Sequence, residues 1–382
     1  MLTEDHRMLR DSLRTFSRER LAPTAADRDR TGEFPLGLLR ELGELGAMGI
    51  TVSDEWGGAG MDYRSVALAL EEIAAGDGAI STIVSVQNSL ACGILDKWGN
   101  DAQKERWLRP LAQGSVLGCF CLTEPHTGSD ASAIRTSARR EGDGWVLDGV
   151  KQFITTGRHA DVAIVFAVTD KQAGKKGISC FLVPTSAAGY RADRLEEKLG
   201  QHASDTAQVV LENCRVAADA VVGPVGEGYR IALSNLEAGR IGIAAQSIGM
   251  ARAALHAAVR YAQERHTFGR PLHEHQAVGF RLADMATEVE AARQLVWHAA
   301  SLKDAGESSL TAASMAKLFA SEMAERVCSA AIQIHGGYGY VRDFPVERIY
   351  RDVRVCQIYE GASDIQRMVI ARSLVDSNSS LS

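Results

Sequence analysis

Glu360 is the residue whose type and setting most suggest chemistry. It lies in Gln357-Ile358-Tyr359-Glu360-Gly361-Ala362-Ser363-Asp364-Ile365-Gln366-Arg367, where a glycine breaks two apolar stretches studded with arginine. A carboxylate presented from such a break in apolar company is a candidate general base. Desolvation disfavours its ionised form and lifts its pKa toward the pH at which it can take and hold a proton. The bland alternative is a solvated charge at a helix end, and for a Glu beside a Gly, taken alone, that is the better reading.

Three upstream segments carry residue types that hold ligands. Phe120-Cys121-Leu122-Thr123-Glu124-Pro125-His126-Thr127-Gly128-Ser129-Asp130 offers hydroxyls, backbone donors and a glycine that permits close approach. This suits an electron-rich heteroaromatic ring or a phosphate, though an ordinary Pro-Gly turn explains the residues equally well. In Lys151-Gln152-Phe153-Ile154-Thr155-Thr156-Gly157, Phe153 could stack on a flat cofactor while Thr155 bonds its edge; Phe153 could equally be plain core. Glu264-Arg265-His266-Thr267-Phe268-Gly269-Arg270-Pro271-Leu272 makes a cationic turn suited to a phosphate or carboxylate, unless Arg265 merely complements a helix C-terminus.

Other candidates lack context. His335-Gly336-Gly337-Tyr338-Gly339 follows a helical pattern rather than a strand, so it is not a dinucleotide fingerprint. His273-Glu274-His275 has no companion ligands for a metal, and Ser85 and Ser89 lack a nucleophile elbow.

The elements that must position these residues fall in three blocks. From Glu4 to about Gly114 the pattern is helical, with Leu9, Leu13 and Phe16 on one face and Asp101 as a candidate cap for a helix holding Trp107 and Leu108. From about Ser115 to Pro224 strands are expected at Val162 to Val168, Ile178 to Val183 and around Val209-Val210-Leu211, with turns at Asp143-Gly144 and Asp148-Gly149. Beyond Gly226-Glu227-Gly228, two apolar seams predict an antiparallel helical bundle: Leu282, Met285, Val289, Ala292, Val296, and Phe319, Met323, Val327, Ala330, Ile334. Helices, then sheet, then helices is not a doubly wound nucleotide-binding order. Only the serine-rich end, Ser377 to Ser382, is expected to fray.

At 382 residues, 46% hydrophobic and 24% charged, the chain has the length for two or three domains and an interior active site. A net charge of −6 without a like-charge run argues against nucleic acid. No apolar run approaches the roughly 20 residues of a membrane span, and the N-terminus lacks a signal peptide's apolar centre. The seven scattered cysteines read as reduced packing residues, so an intracellular protein is expected.

In this order and at this spacing, the segments resemble the acyl-CoA dehydrogenases, and the match runs from the N-terminal helices to Arg372. The resemblance implies an N-terminal helical domain (1–114), a barrel-like or sandwich β domain (115–225) and a C-terminal four-helix bundle (226–382), in a homotetramer binding FAD near a dimer interface. It implies that Phe120, Leu122, Thr123, Gly128 and Ser129 hold the flavin ring and pyrophosphate, and that Phe153, Ile154 and Thr155 lie against the isoalloxazine. Arg265, Thr267, Phe268, Gln276, Gln333, Gly336 and Gly337 fall where the family reaches the FAD of a neighbouring subunit. Ala362 and Asp364, near the adenylate end, depart from the usual Thr and Glu or Gln. Ser129, Leu236, Glu237, Arg240 and Gly361 fall at substrate positions, where Glu237 replaces a common Asp and His202 a common Arg, both near CoA.

Glu360 matches the family's base; a subset places the base at the position of Gly239, where glycine cannot serve. The implied reaction removes the α proton while the β hydride passes to flavin N5, giving a trans-2-enoyl-CoA, with an electron-transfer flavoprotein as acceptor. Members of the family acting on dicarboxylic acyl groups carry an arginine before a similar stretch, whereas Ala79 to Gln87 offers no cation, so the resemblance implies a neutral acyl chain, and Arg240 to Gln246 is most similar to short-chain or short branched-chain enzymes. Alternatives on the same scaffold are an acyl-CoA oxidase, a flavin monooxygenase or an acyl-carrier-protein-linked dehydrogenase; a non-catalytic flavin or acyl-carrier binding protein is the alternative outside enzymes. The expected location is the cytoplasm of a bacterium or a mitochondrial matrix.

Overall fold

A computed structural model describes residues 2–379. Of the serine-rich end expected to fray, residues 377–379 instead continue the last helix, and 380–382 lie outside the described residues.

Side-chain caps start the longer N-terminal helices. Thr3 caps α1 (Glu4–Phe16) in a reciprocal capping box with His6, whose Nε2 also bonds Asp62 at 2.9 Å. Two short helices, α2 (Ala25–Thr31) and α3 (Leu36–Glu44), follow. Asp62 caps α4 (Tyr63–Gly76), and Asp77 accepts from the Ala79 and Ile80 amides to open α5 (Gly78–Trp98). Against the sequence expectation, α5 has the length and apolar composition of a membrane span. Its hydropathy reflects interior packing, since 94% of its apolar window is buried inside the protein. In helical segment 101–112 the cap is Asn100 rather than Asp101. Asn100 Oδ1 accepts from the Gln103 amide at 2.9 Å and Gln103 Oε1 accepts from the Asn100 amide at 3.1 Å, which places Asp101 already inside the first turn.

The middle block is one sheet folded on itself, in the order β6 (Tyr190–Leu195), β7 (Thr206–Val216), β3 (Gly144–Thr155), β2 (Ser137–Glu141), β4 (Val162–Val168), β5 (Ile178–Pro184), β8 (Val221–Val222), with β1 (Gly118–Cys121) parallel to β4. Strand β4 is an unbroken apolar run because both its faces are covered. Val162, Ile164 and Phe166 pack on α5 and the 101–112 segment, while Ala163, Val165 and Ala167 face the other half of the sheet. The turn expected at Asp148-Gly149 is instead interior to β3, at a register shift between Leu147 and Gly149. Thr136 crosses so closely that a Cβ on Gly149 would fall 2.4 Å from its Oγ1, so this glycine serves a backbone crossing.

The C-terminal block is α6 (Gly228–Glu264), α7 (Gln276–Asp304), α8 (Leu310–His335), α9 (Pro345–Val353) and α10 (Ser363–Ser379). Met285, Val289, Ala292 and Val296 of α7 and Met323, Val327 and Ile334 of α8 are buried in a single core that also takes Leu13, Leu70 and Ile73 from the N-terminal helices. Helix α4 thus lies in the bundle. Its buried Glu71 and Glu72 fasten it there: Arg293 Nη2 meets Glu71 at 2.9 Å, Arg252 Nη2 meets Glu72 at 2.6 Å, and Arg14 Nη2 from α1 meets Glu72 at 2.8 Å.

A second buried pair fixes the loop after β1. Lys151 Nζ in β3 donates to Glu124 Oε1 at 2.8 Å and to the Leu122 carbonyl at 3.2 Å, and Glu124 also accepts from the amides of Arg135 and Thr136 at 2.7 and 2.9 Å. Although burial raises the Glu124 pKa, the Lys151 ammonium and these donors hold it below the usual value. Glu124→Ala strands a fully buried ammonium and is expected to cost about 3–5 kcal/mol in denaturant unfolding, most of which Glu124→Leu combined with Lys151→Met recovers. A loss below about 1 kcal/mol for the single variant would contradict this account.

Candidate active site

Segments distant in sequence converge on one cleft. Thr82, Val86 and Leu90 come from α5, and Phe120, Leu122, Thr123, Gly128 and Ser129 from β1 and its loop. Phe153, Ile154 and Thr155 end β3, Leu233, Leu236, Arg240 and Ile243 line it from α6, and Tyr359, Glu360, Gly361 and Ile365 close it. All three blocks of the chain contribute.

On the sheet side, the Glu124 and Lys151 pair sets the loop while the Gln152 amide donates to the Thr123 carbonyl at 2.8 Å. A register shift between Lys151 and Ile154 turns Phe153 out of the alternation, with φ +58°, leaving it 62% exposed over the cleft. A bulky residue in the left-handed region is a strained position that its surroundings must hold in place. That removes the plain-core reading of Phe153. The hydroxyls of Thr123, Ser129 and Thr155 border the same space, and no described protein group engages them. An exposed aromatic face beside unspent hydroxyls on a glycine-containing loop fits a flat heteroaromatic ring.

On the helical side, Glu360 sits at φ +53° and Gly361 at φ +87°, a left-handed pair between the 3₁₀ turn Arg354–Gln357 and α10. Glu360 Oε2 is buried without a hydrogen-bond partner, and no described group accepts from the Glu360 amide. Burial pushes the Glu360 pKa up to about 7, against the pull of Lys317 and Arg240. Two donors hold the following carbonyl, Lys317 Nζ at 2.7 Å and Gln366 Nε2 at 2.8 Å from the Gly361 oxygen. Arg240 donates through Nη1 to Ser314 Oγ at 3.1 Å, while its Nε is buried without a partner. Tyr359 OH donates to Gln246 Oε1 at 2.7 Å and lies 3.3 Å from Thr82 Oγ1, which donates to Gln201 Oε1 at 2.6 Å. This network anchors the residue beside Glu360.

The other sequence candidates lie outside the cleft. Phe268 and Gly269 turn a small hairpin after α6 with φ of +50° and +81°, and Phe268 is 97% exposed. Arg265, beside that hairpin, lies over the Tyr338 ring at 5.9 Å, and Thr267 contacts His275 at 3.3 Å. Gln276 begins α7, Gln333 lies in the last turn of α8, and Gly336 and Gly337 follow it, all exposed. Ala362 leads into α10, and Asp364 pairs with Arg367 at 3.3 Å. Glu237 accepts from Ser309 and pairs with Lys303 at 3.7 Å. His202 is likewise spent elsewhere, bonding the Asp29 and Lys198 carbonyls at 2.8 Å.

Sequence reasoning missed Lys317, Tyr359 with its network, and the Glu124 and Lys151 pair. A signal for Lys317 was present: it shares the buried stripe of α8 with Ala313, Ala320 and Ala324.

Comparison with known proteins covers nearly the whole chain. Residues 3–115 match the acyl-CoA dehydrogenase N-terminal domain, 119–214 the middle domain and 226–375 the C-terminal domain. The mitochondrial short-chain specific acyl-CoA dehydrogenase of Rattus norvegicus is 47% identical over 376 residues, which are 98% of this chain and 91% of that protein. Among solved structures, butyryl-CoA dehydrogenase from Megasphaera elsdenii superposes with a TM-score of 0.96 at 41% identity, covering 98% of this chain and 99% of that one. Glutaryl-CoA dehydrogenase from Mycobacterium smegmatis in complex with FADH2 gives 0.93 at 35% identity, covering 98% and 95%. With all three domains matched, and with Glu360, the loop after β1 and the outward Phe153 in one cleft, the chain belongs to the acyl-CoA dehydrogenase family and is an oxidoreductase acting on acyl-CoA.

Proposed function

We propose that the protein dehydrogenates a short, neutral acyl-CoA to the trans-2-enoyl-CoA, with Glu360 removing the α proton. The observation that carries this reading is the unpaired, buried Glu360 Oε2, held on a left-handed backbone in a cleft that also presents Phe153 and three free hydroxyls. FAD is the cofactor; when bound, it supplies the hydride acceptor for the β carbon. Phe153, Thr123, Ser129 and Thr155 would hold it, with Leu122 and Gly128 giving its ring a close backbone wall.

The protein's own groups do the acid–base work. Glu360 takes the proton with an oxygen that no other group occupies, and its raised pKa keeps that proton once captured. The unspent Glu360 amide is a donor for a thioester oxygen as enolate charge develops there, in the manner of an oxyanion hole. Val86, Leu90, Leu236 and Ile243 exclude water along the acyl path. Arg240 and Glu360 are the charged residues on the cleft's described lining, and Arg240 serves the base. A carboxylate at the far end of the acyl chain would therefore have no partner of its own.

Gly239 supports the assignment. A Cβ there would fall 2.6 Å from Glu360 Oε2 and 2.9 Å from its Cδ, so the bare glycine leaves the room that the carboxylate occupies. The exposed hairpin bearing Phe268, and the exposed ends of α7 and α8, support contact with FAD in a neighbouring subunit of a homotetramer. An electron-transfer flavoprotein is the proposed acceptor for the reduced cofactor.

Glu360→Gln is expected to keep its yellow colour and bind acyl-CoA yet lose at least about 100-fold in anaerobic flavin reduction. Near-normal turnover would refute the assignment. Gly239→Ala should leave the fold intact but displace the carboxylate, lowering the reduction rate roughly 10- to 100-fold at unchanged thermal midpoint. Since the Glu360 pKa is raised from 4.5 to about 7, kcat/KM should fall as pH drops below that value. The same shift stabilises the fold fully at low pH and is lost as pH rises through the folded pKa. The Tm advantage of Glu360→Gln over the native chain should accordingly grow from about pH 5 to about pH 8. A bleaching screen with neutral, branched, aromatic and dicarboxylic acyl-CoAs tests the substrate class, and abundant peroxide without flavoprotein reduction would favour an oxidase.

A further inference from the structure

Lys317 is a fully buried lysine in the middle of α8, a helix whose neighbouring interior positions are alanines. Taking an ammonium out of water is costly, and such a group persists where its charge and donors are used. Its Nζ donates at 2.7 Å to the Gly361 carbonyl, directly after the left-handed Glu360. Its charge faces Glu360 and Cys356 of the catalytic segment, Arg240 of α6 and Glu322 of its own helix. Lys317 takes no place on the cleft lining, so it acts on the reaction through Glu360.

We propose that Lys317 is the positioning residue of the catalytic base: its ammonium clamps the Gly361 carbonyl, fixing the left-handed break that aims Glu360, and presents a positive charge that favours the ionised carboxylate. The proposal rests on Glu360 being the base. Two physical roles meet in one group. The hydrogen bond resists relaxation of a left-handed backbone conformation that a non-glycine residue keeps only when its surroundings hold it there. The charge offsets the desolvation that Oε2, lacking any donor, would otherwise meet with Arg240 alone. Gln366 shares the clamp on the same carbonyl but is neutral, so the electrostatic role belongs to the lysine.

The test is the pH dependence of anaerobic flavin reduction by saturating butyryl-CoA in the FAD-loaded enzyme. Removing a nearby cation raises a carboxylate's pKa, so Lys317→Met should move the acid limb upward by about one pH unit or more, slowing reduction roughly tenfold below it and recovering at high pH. Lys317→Gln keeps a donor without the charge and should shift the limb similarly. Lys317→Arg keeps both and should leave it near the native position. An acid limb unmoved in Lys317→Met, or a rate lowered equally at every pH, would overturn the proposal by showing a merely structural lysine. If Lys317→Met does not fold, Lys317→Gln decides, and an unmoved limb there overturns the electrostatic role. Glu360→Gln run in parallel separates the two claims: full activity in that variant sinks the base assignment, while its loss beside an unmoved limb in the Lys317 variants sinks only this one.

Discussion

The structure depends on keeping one carboxylate poor in water without letting it find a donor. A desolvated carboxylate normally acquires hydrogen bonds or a bidentate cation, and each of these would lower its pKa and occupy the lone pair that must receive a proton. Glu360 Oε2 has neither. Nearby cations act on it at a distance, with Lys317 bonded to a backbone carbonyl and Arg240 bonded to Ser314. The result is a carboxylate poised near neutrality with an open oxygen.

The buried carboxylates that hold the blocks together show the opposite treatment. Glu71 and Glu72 are fastened by Arg14, Arg252 and Arg293, and Glu124 by Lys151 and two amides. Asp77 is paired with Arg28 at 2.7 Å. These pairs fix the relative placement of α1, α4, α6 and α7, and of the β1 loop on β3. Placement matters because the cleft has walls from α5, the sheet and α6, and a shift of any of them changes what Glu360 faces.

Much of the molecule was legible in the residues. The seams of α7 and α8 report a 3.6-residue period directly, and the apolar runs of β4 and β5 mark strands covered on both faces. Local polar signals were less secure. Asp101 and Asn100 are both good capping residues, and only the backbone decides which one stays outside the helix. Asp148-Gly149 has turn chemistry, yet its glycine is needed where Thr136 crosses. No run in the sequence signalled a span, yet the complete α5 helix has a span's length and hydropathy, because its neighbours bury it inside the protein.

Residue types and spacing determined that a glycine-containing loop, an aromatic with hydroxyls and a carboxylate exist in this order, because these are properties of the chain itself. Only tertiary structure decided that Phe153 is out rather than in, since a bulge rather than the strand period sets its direction. It also decided that Lys317 is a neighbour of a residue more than forty positions away. The Glu360 pKa belongs to the same category: it is a sum of desolvation and charges distant in sequence, Lys317 of α8 and Arg240 of α6, which only packing brings beside the segment that carries the carboxylate.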